Sequence, residues 1–228
     1  MTAEVKEVAG WLRLFMEPGQ VTELRAIDYL QGQYSSVQAG FFDFEHLDKM
    51  ASEALRLTRA STGVYFVPNP IKPESLAKCA NRVKKAGRGD AVPDADVLCR
   101  RWLLFDADPV RPVANVSSTD AEKKLAWEVI QNVRNFVVGN WLPGGILADS
   151  GNGYHLICPI DAHRDDSCLV RSLLHSVAEK FDTQSVHVDR VVFNPARIVK
   201  LYGTMARKGD DTPDRPHRRS SILESVTA

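Results

Sequence analysis

The sequence predicts an α/β or α+β fold in which helices pack on a sheet. Segments with apolar residues at helical spacing alternate along the chain with short apolar segments that favour strands. Residues 150–153, Ser-Gly-Asn-Gly, separate two of these strand segments and are typical of a hairpin turn. Strands that alternate with helices, together with one hairpin, imply an α/β or α+β sheet with helices packed against it.

The composition is that of an ordinary globular protein. With 228 residues, of which 44% are hydrophobic and 25% charged, the chain can form one large domain or a domain with an appendage. Its formal net charge is +0, so any contact with a polyanion must depend on local segregation of charge. Four cysteines without Cys-x-x-Cys spacing argue against a zinc knuckle and fit reduced thiols in the cytosol.

The sequence contains no signal for a membrane. No apolar segment approaches the roughly 18 residues that a membrane-spanning helix needs. The N-terminal segment carries Glu4 and Glu7, which argues against a secretory signal. We therefore expect a soluble, cytoplasmic protein without a membrane partner.

The first half of the chain is predicted to contain three helices and one clear strand. The helices are expected at Val5–Met16, Phe44–Ala60 and from Pro73 to about Ala86. The strand is expected at Gly63–Val67, and Pro68-Asn69-Pro70 ends it. Val21–Leu30 fits either a strand or a short helix, and residues 84–96 are predicted to be a loop.

The second half is predicted to contain a buried strand, a hairpin and two long helices. Trp102–Phe105 is an apolar run typical of a central strand. Thr119-Asp120-Ala121-Glu122 has the pattern of a capping box and predicts a helix to Gly139. The remaining expectations are hairpin strands at Gly145–Asp149 and Tyr154–Ile160, a helix at Ser167–Phe181, short strands at Val186–Phe193 and Ile198–Tyr202, and mostly loop from Gly203.

Two aspartates follow the apolar run without a gap. Asp106 and Asp108 are two positions apart, so on a strand their side chains point to the same face. Two neighbouring carboxylates repel unless a cation lies between them, and a hard divalent ion prefers oxygen ligands. The pair therefore indicates a metal site. The alternative is a turn rich in aspartate and proline where the strand ends.

Two further motifs contain residues suited to the same chemistry. In Ser150-Gly151-Asn152-Gly153-Tyr154-His155, the glycines let backbone N–H groups approach an anion, and Ser150 and His155 could donate to a phosphate. The alternative is a plain hairpin turn. Asp189 emerges from the apolar stretch Val186–Val188 as a third acid, and its alternative role is to cap the end of a strand.

A basic segment follows these motifs. Arg197 and Lys200 lie in an otherwise apolar stretch, where a cation usually meets a carboxylate or a phosphate. Residues 197–219 contain seven Lys or Arg and three Asp, in a chain that is neutral as a whole. This segment is either a phosphate-binding surface or a solvated tail.

The order of these motifs resembles that of the archaeo-eukaryotic primase superfamily. The motifs are, in turn, the Asp-x-Asp pair, the Ser-x-x-x-x-His motif, the third aspartate and the basic strand. The resemblance is to the superfamily's primase-polymerase branch, nearest to the primase-like proteins of phages and plasmids, and covers about Gly63 to Ser221. The segments that carry it are Pro68-Asn69-Pro70, Asp106–Pro112, Ser150–His155 and Arg197–Thr204. The sequence departs from the wider superfamily in having no zinc-binding insertion.

The resemblance implies an α+β fold of two α/β layers, whose catalytic half has an RRM-like sheet. It also implies the activity of a DNA primase-polymerase. Such an enzyme is a metal-dependent nucleotidyltransferase that synthesises or extends primers on a nucleic-acid template. The implied ligands of two divalent ions, Mg²⁺ or Mn²⁺, are Asp106, Asp108 and Asp189. The implied ligands of the NTP or dNTP phosphates are Ser150 and His155, with Arg197 and Lys200 as helpers.

Residues 61–228 would form the catalytic domain and residues 1–60 a helical N-terminal accessory segment, unless both form one continuous domain. We expect single-stranded DNA as the template, with its phosphates contacted by Arg207, Lys208, Arg215, Arg218 and Arg219. Many relatives carry a helicase or a helical priming module after this domain, so a replicative helicase is a further expected partner.

Two other functions fit the same fold. One is a non-catalytic nucleic-acid-binding module of a replication initiator, although clustered acids facing a polyanion disfavour it. The other is a histidine-type nicking endonuclease, which needs a His-hydrophobic-His pair and a catalytic tyrosine. His187 lacks the second histidine of such a pair, because position 189 is an aspartate.

Overall fold

The computed structural model describes residues 1–225. In this range the helices are α1 (Ala3–Phe15), α2 (Leu47–Leu57), α3 (Asp120–Val137) and α4 (Ser167–Phe181). The strands are β1 (Val21–Gln31), β2 (Tyr34–Asp43), β3 (Gly63–Phe66), β4 (Lys84–Lys85), β5 (Cys99–Pro109), β6 (Ile146–Asp149), β7 (Tyr154–His163), β8 (Val186–Val188), β9 (Val199–Lys200), β10 (Met205–Ala206), β11 (Arg218–Arg219) and β12 (Ser221–Ser225). This mixture of helices and antiparallel sheets confirms the predicted α+β class.

The chain divides into two compact units, and each is built from two stretches of sequence. The first unit comprises Met1–Arg100 and Pro195–Met205, and the second comprises Arg101–Asn194 and the residues from Ala206 onward. This division differs from the predicted segments 1–60 and 61–228, because residues 195–205 return to the first unit.

The first unit is a sheet with helices packed on it. Its strand order is β4-β2-β1-β3-β9, and the neighbouring strands are antiparallel. Phe15 of α1 meets Phe66 of β3 edge to face, with ring centroids 5.1 Å apart. Leu12, Leu24 and Leu57, from α1, β1 and α2, are fully buried in the same unit. Burying each such side chain contributes about 1.5–3 kcal/mol to folding.

The second unit has the RRM-like arrangement that the resemblance implied. β5, α3, β6, β7, α4 and β8 follow one another as β-α-β-β-α-β, and the order of their sheet is β12-β6-β7-β5-β8. α3 and α4 contact each other and pack on one face of this sheet, where Ala107, Val186 and Val188 are buried. The opposite face carries the alternate side chains of the same strands.

The start of α3 is fixed by the capping box that the sequence predicted. The Glu122 N–H donates to Thr119 Oγ1 at 3.1 Å, and the Thr119 N–H donates to Glu122 Oε2 at 2.9 Å. Two of the N–H groups left unpaired by the first turn are thus satisfied locally. This cap determines where α3 leaves the loop that follows β5.

The expectation of a helical segment at residues 1–60 is wrong over residues 21–43. Val21–Leu30, which the sequence left undecided, is strand β1, and it forms a hairpin with β2 through Gly32 and Gln33. Gly32 has φ 63°, the conformation that a tight two-residue hairpin turn requires at its first position. The strand pattern was obscured by Glu23, a fully buried carboxylate that Arg25 neutralises through two bonds of 2.7 Å.

The predicted helix from Pro73 to Ala86 is also wrong. Only the 3-10 turn Pro73–Lys78 forms, and β4 follows it within the segment predicted as loop. The chain turns at Asn81, which has φ 50° and whose side chain hydrogen bonds with Asp43 at two points. These tertiary hydrogen bonds override the local helical spacing.

The C-terminal segment contains more strand than predicted. β12 adds to the edge of the second unit's sheet beside β6, in the part that the sequence predicted as loop. Conversely, β8 and β9 are shorter than the predicted Val186–Phe193 and Ile198–Tyr202. None of the helices formed by residues 1–225 combines the length and the apolar character needed to cross a membrane.

Candidate functional site

Asp106 and Asp108 lie on one face of β5, within the strand and not beyond its end. Their neighbours Phe105 and Ala107 are fully buried, whereas the side chains of Asp106 and Asp108 keep 22% and 38% of their surface exposed. Because side chains alternate along a strand, both carboxylates point away from the face covered by α3 and α4. The structure therefore brings these two predicted ligands onto one open surface.

Strand β8 lies beside the two carboxylates. β8 pairs antiparallel with β5, with Ala107 opposite Val188 and Asp108 opposite His187. Directly opposed residues point to the same side of a sheet, so His187 shares the face of the two carboxylates. Asp189 follows the last residue of β8, and its N–H donates to the Asp106 carbonyl oxygen at 2.8 Å.

His155 of β7 lies beside Asp106. Its Nε2 atom is 3.5 Å from Asp106 Oδ1, and the imidazole is almost fully buried. Burial raises the pKa of Asp106, but attraction to His155, and then to Lys208 and Arg111, outweighs burial and leaves the pKa below its usual value. Asp106 is therefore held in its charged form.

Asp108 has a different electrostatic environment. Burial and the nearby charge of Asp106 raise the pKa of Asp108, and Arg111, Lys208 and His155 only partly oppose them. Arg111 Nη2 donates to Asp108 Oδ2 at 3.2 Å, three residues along the chain. The second carboxylate therefore takes up a proton more readily than the first, and a guanidinium partly neutralises it.

The third predicted ligand is not gathered with the other two. Within residues 1–225, no group of three or more His, Cys, Asp or Glu side chains is arranged to hold a metal ion. Asp189 Oδ1 accepts the Val191 N–H at 2.7 Å, so this carboxylate caps the turn that follows β8. The capping role that the sequence offered as an alternative for Asp189 is thus present.

The turn between β6 and β7 approaches β5 closely. A Cβ atom at Gly153 would lie 2.3 Å from the Ala107 carbonyl oxygen and 2.7 Å from Asp108 Oδ1. No side chain can occupy that space, so this position must be glycine for the turn to reach the carboxylates. The Ser150 hydroxyl accepts the Gly153 N–H at 3.0 Å and thereby closes the turn. Ser150 stabilises the hairpin, while its hydroxyl hydrogen is not used by that bond.

A second set of hydrogen bonds holds the turn against the segment before α3. Ser118 is fully buried, its N–H donates to Asn152 Oδ1 at 3.0 Å, and its hydroxyl donates to the Asn152 carbonyl oxygen at 2.7 Å. The same hydroxyl accepts from Arg111 Nη1 at 3.4 Å. One connected hydrogen-bond network therefore runs from β5 to the hairpin turn, through Asp108, Arg111, Ser118 and Asn152.

The geometry of the chain is similar to that of a solved primase. The crystal structure of primase RepB' superposes with a TM-score of 0.52 at 10% sequence identity, over 97% of this chain and 56% of that chain. The chain has a primase-like fold. It spans little more than half the length of the RepB' chain. No protein-family profile and no curated protein sequence matches it.

Two of the predicted DNA-binding arginines have structural partners in the primase-like fold. Arg215 donates to both carboxylate oxygens of Glu122, at 2.9 and 2.7 Å, and Arg218 donates to Asp120 Oδ1 and to the Ser118 carbonyl oxygen, both at 2.6 Å. The hydrogen bonds of both guanidiniums hold the C-terminal segment against the start of α3. Arg207 and Lys208 are half-buried and Arg219 is exposed. Of these three, Lys208 acts electrostatically on both Asp106 and Asp108.

Arg197 and Lys200 belong to the first unit, whereas the carboxylates belong to the second. Lys200 lies on β9 opposite Tyr65, and its ammonium donates to the Met205 carbonyl oxygen at 2.6 Å. It is almost fully buried. This lysine therefore stabilises the end of the first unit's sheet, and its predicted role toward nucleotide stays a prediction, as does that of Arg197.

Sequence reasoning assigned no role to Arg111 or Asn152. Arg111 follows Asp108 by three residues, and this Asp-x-x-Arg spacing was the available signal for an ion pair across the end of the strand. Asn152 lies in the Ser-Gly-Asn-Gly turn, and nothing in its local sequence indicates that it bonds to Ser118, 34 residues away.

Proposed function

We propose that the protein is a metal-dependent nucleotidyltransferase, a DNA primase-polymerase that synthesises or extends primers on a nucleic-acid template. The observation that carries this proposal is the shared face of Asp106 and Asp108 on β5, with the Asp189 N–H bonded to the Asp106 carbonyl oxygen. A primase-like fold with a carboxylate pair at this place favours transfer chemistry over binding alone.

The carboxylates of Asp106 and Asp108 offer oxygen donors of the kind that hard divalent ions prefer. Asp106 Oδ1 is a buried carboxylate oxygen without a hydrogen-bond partner among residues 1–225, and such an oxygen is a ready ligand for a hard cation. Asp106 and Asp108 would hold Mg²⁺ or Mn²⁺, and Asp189 would join them by giving up its bond to the Val191 N–H. Two bound ions would activate the attacking hydroxyl and stabilise the leaving pyrophosphate.

The cations around the carboxylates would position the incoming NTP or dNTP. His155 lies 3.5 Å from Asp106, so a phosphate held near the carboxylates would also be within reach of the imidazole. The Ser150 hydroxyl would add a donor from the hairpin turn. Arg111 and Lys208, which already compensate the charge of Asp108, would be available to the triphosphate once metal neutralises the carboxylates.

Primer extension with labelled nucleotides, with Mg²⁺ or Mn²⁺, tests the proposal. The wild type should extend a primer on a single-stranded DNA template, and Asp106→Asn should not. Asp165→Asn, in an exposed loop of the same unit, is the matched control and should extend as the wild type does. Template binding without extension would favour the alternative of an initiator-type binding module. Strand cleavage that depends on His187 would favour the alternative of a nicking endonuclease.

A further inference from the structure

A pocket of about 480 Å³ lies in the second unit between α3 and the β6–β7 hairpin. We call it the α3 pocket; its lining includes Trp127 and Tyr154, with Lys123 and Asp149 beside them and Lys124 and Leu223 at its edge. Tyr154 immediately precedes His155 on β7, so the two side chains point to opposite faces of the sheet. The α3 pocket therefore lies on the helix-covered face and is separate from the carboxylate site.

Two aromatic rings form the walls of the α3 pocket. Trp127 and Tyr154 meet edge to face, with their centroids 5.1 Å apart and an interplanar angle of 67°. Both side chains are only half-buried, so part of each ring faces the cavity. Leu223 of β12 is 46% exposed and adds an apolar edge. Such walls suit a flat, apolar ring system.

The polar part of the pocket contains paired charges. Lys123 Nζ lies 2.6 Å from Asp149 Oδ1 and 4.4 Å from the centre of the Tyr154 ring. Lys124 and Asp120 also line the cavity, and Arg218 is bonded to Asp120 at 2.6 Å. These groups offer hydrogen-bond donors and acceptors to the polar edge of a ligand.

We propose that the α3 pocket binds a nucleobase. The base would stack on Trp127, with the Tyr154 ring at its side, and its polar edge would face Lys123 and Asp149. A cavity of this size is within the range that holds small ligands, roughly 300–1,000 Å³. Stacking on aromatic side chains is a common way in which proteins hold bases, because every base has a π-face. The base comes either from a free nucleoside or from a nucleic-acid strand.

Adenosine is the probe for this proposal, because it has a base but no phosphate. Calorimetric titration in EDTA should give saturable binding, since the α3 pocket needs no metal ion. Trp127→Leu should weaken binding about tenfold or more, the loss expected when one stacking ring is removed. Trp141→Leu removes another exposed tryptophan, outside the pocket, and should leave the affinity unchanged.

A second variant obstructs the pocket and leaves Trp127 and Tyr154 in place. Leu223→Arg places a long side chain at the pocket edge from an exposed position, and it should also weaken adenosine binding. Thermal melts confirm that each variant is folded, and Leu223→Arg decides the test if Trp127→Leu does not fold. Absence of saturable binding, or equal binding by the wild type and both pocket variants, would overturn the proposal.

Two further measurements distinguish binding in the α3 pocket from binding at the carboxylate site and identify the source of the base. Asp106→Asn should lose nucleotidyl transfer but keep adenosine binding, and loss of both would assign the adenosine to the carboxylate site instead. A single-stranded deoxyadenosine oligonucleotide should compete with adenosine if strands supply the base, whereas an abasic strand of equal length should not. If neither strand competes, the pocket takes a free nucleoside.

Discussion

Arg215 and Glu122 form a two-bond ion pair, Nη1 to Oε2 at 2.9 Å and Nη2 to Oε1 at 2.7 Å. Both side chains are only about one-fifth exposed. Because Glu122 is also the second member of the capping box of α3, this pair joins the C-terminal segment to the helix at the place where the helix begins. Arg215 thus has a structural role at a position where the sequence predicted contact with DNA.

Arg215→Ala should therefore lower the free energy of unfolding, because it removes two hydrogen bonds to the Glu122 carboxylate. Chemical denaturation at neutral pH measures this change. Arg219→Ala, at an exposed position of the same segment, should change the free energy of unfolding by no more than about 0.5 kcal/mol. Equal effects of the two substitutions would contradict the structural role of Arg215.

The same pair predicts a dependence of stability on pH. The bonds from Arg215 lower the pKa of Glu122 below its ordinary value of 4.5. A carboxyl group with a lowered folded-state pKa stabilises the protein above its unfolded pKa, and this contribution is lost as the pH falls through the folded pKa. The difference in stability between wild type and Arg215→Ala should therefore be full at neutral pH and shrink below about pH 4.5. Denaturation midpoints of both proteins across this range test it. A difference that stays constant into acid would contradict it.

Salt dependence should separate DNA-contacting cations from structural ones. We expect the affinity for single-stranded DNA to fall with salt, and each lost phosphate contact to reduce the slope by about 0.7. Replacing Arg207, Lys208 and Arg219 together by Ala should therefore flatten the slope by about 2. Arg215→Ala should leave it unchanged, because that guanidinium is bonded to Glu122. Fluorescence anisotropy at several salt concentrations measures both, and an unchanged slope in the triple variant would make the segment a solvated tail.

Asp108→Asn should leave the metal-free protein at least as stable as the wild type. Burial and the charge of Asp106 raise the pKa of Asp108, so its ionised form is disfavoured in the native state and a neutral amide removes that cost. Metal that binds only the native wild type should stabilise it by about 2.7 kcal/mol at a hundredfold excess over its Kd, and most of this gain should vanish in the variant. Nucleotidyl transfer should vanish as well.

Thermal melts with and without Mg²⁺ or Mn²⁺, paired with primer extension, measure these effects. A variant that still transfers nucleotides, or a wild type whose melting ignores both metals even with nucleotide present, would refute the two-metal proposal.

His155→Asn should weaken nucleotide binding more than template binding. His155 lies 3.5 Å from Asp106, where the triphosphate would be held, and the shorter asparagine side chain does not extend its donor to the position of the imidazole Nε2. We expect a loss of about tenfold for the nucleotide, which corresponds to one charge-assisted hydrogen bond of roughly 1.4 kcal/mol. His175→Asn, on the exposed side of α4, is the matched control. Equal losses for nucleotide and single-stranded DNA would contradict this role.

The sequence predicted well where one local signal decided the structure. The capping box at Thr119 placed the start of α3, the periodicity of Ser167–Phe181 placed α4, and the Asn-Gly turn placed the β6–β7 hairpin. The i, i+2 spacing of Asp106 and Asp108 also gave their common face. In each case the residues that determine the structure are neighbours in the sequence.

Prediction from the sequence failed where residues far apart in the chain determine the local structure. Asn81 breaks the expected helix because it bonds to Asp43, and Glu23 is tolerated in a buried strand because Arg25 and the Val92 N–H satisfy it. The same is true of the basic segment, since only the fold shows that Arg215 faces Glu122, 93 residues earlier. A count of charges along the chain does not distinguish a paired guanidinium from one available to DNA.

The return of residues 195–205 to the first unit has a consequence for synthesis on the ribosome. Tyr65 of β3 pairs with Lys200 of β9, 135 residues later in the chain. At about 5–20 residues per second, that partner emerges roughly 7 to 27 s after β3. Throughout this interval the nascent chain carries an open strand edge, which is a template for wrong pairing. A gene fragment that stops at residue 194 would leave that edge uncovered permanently.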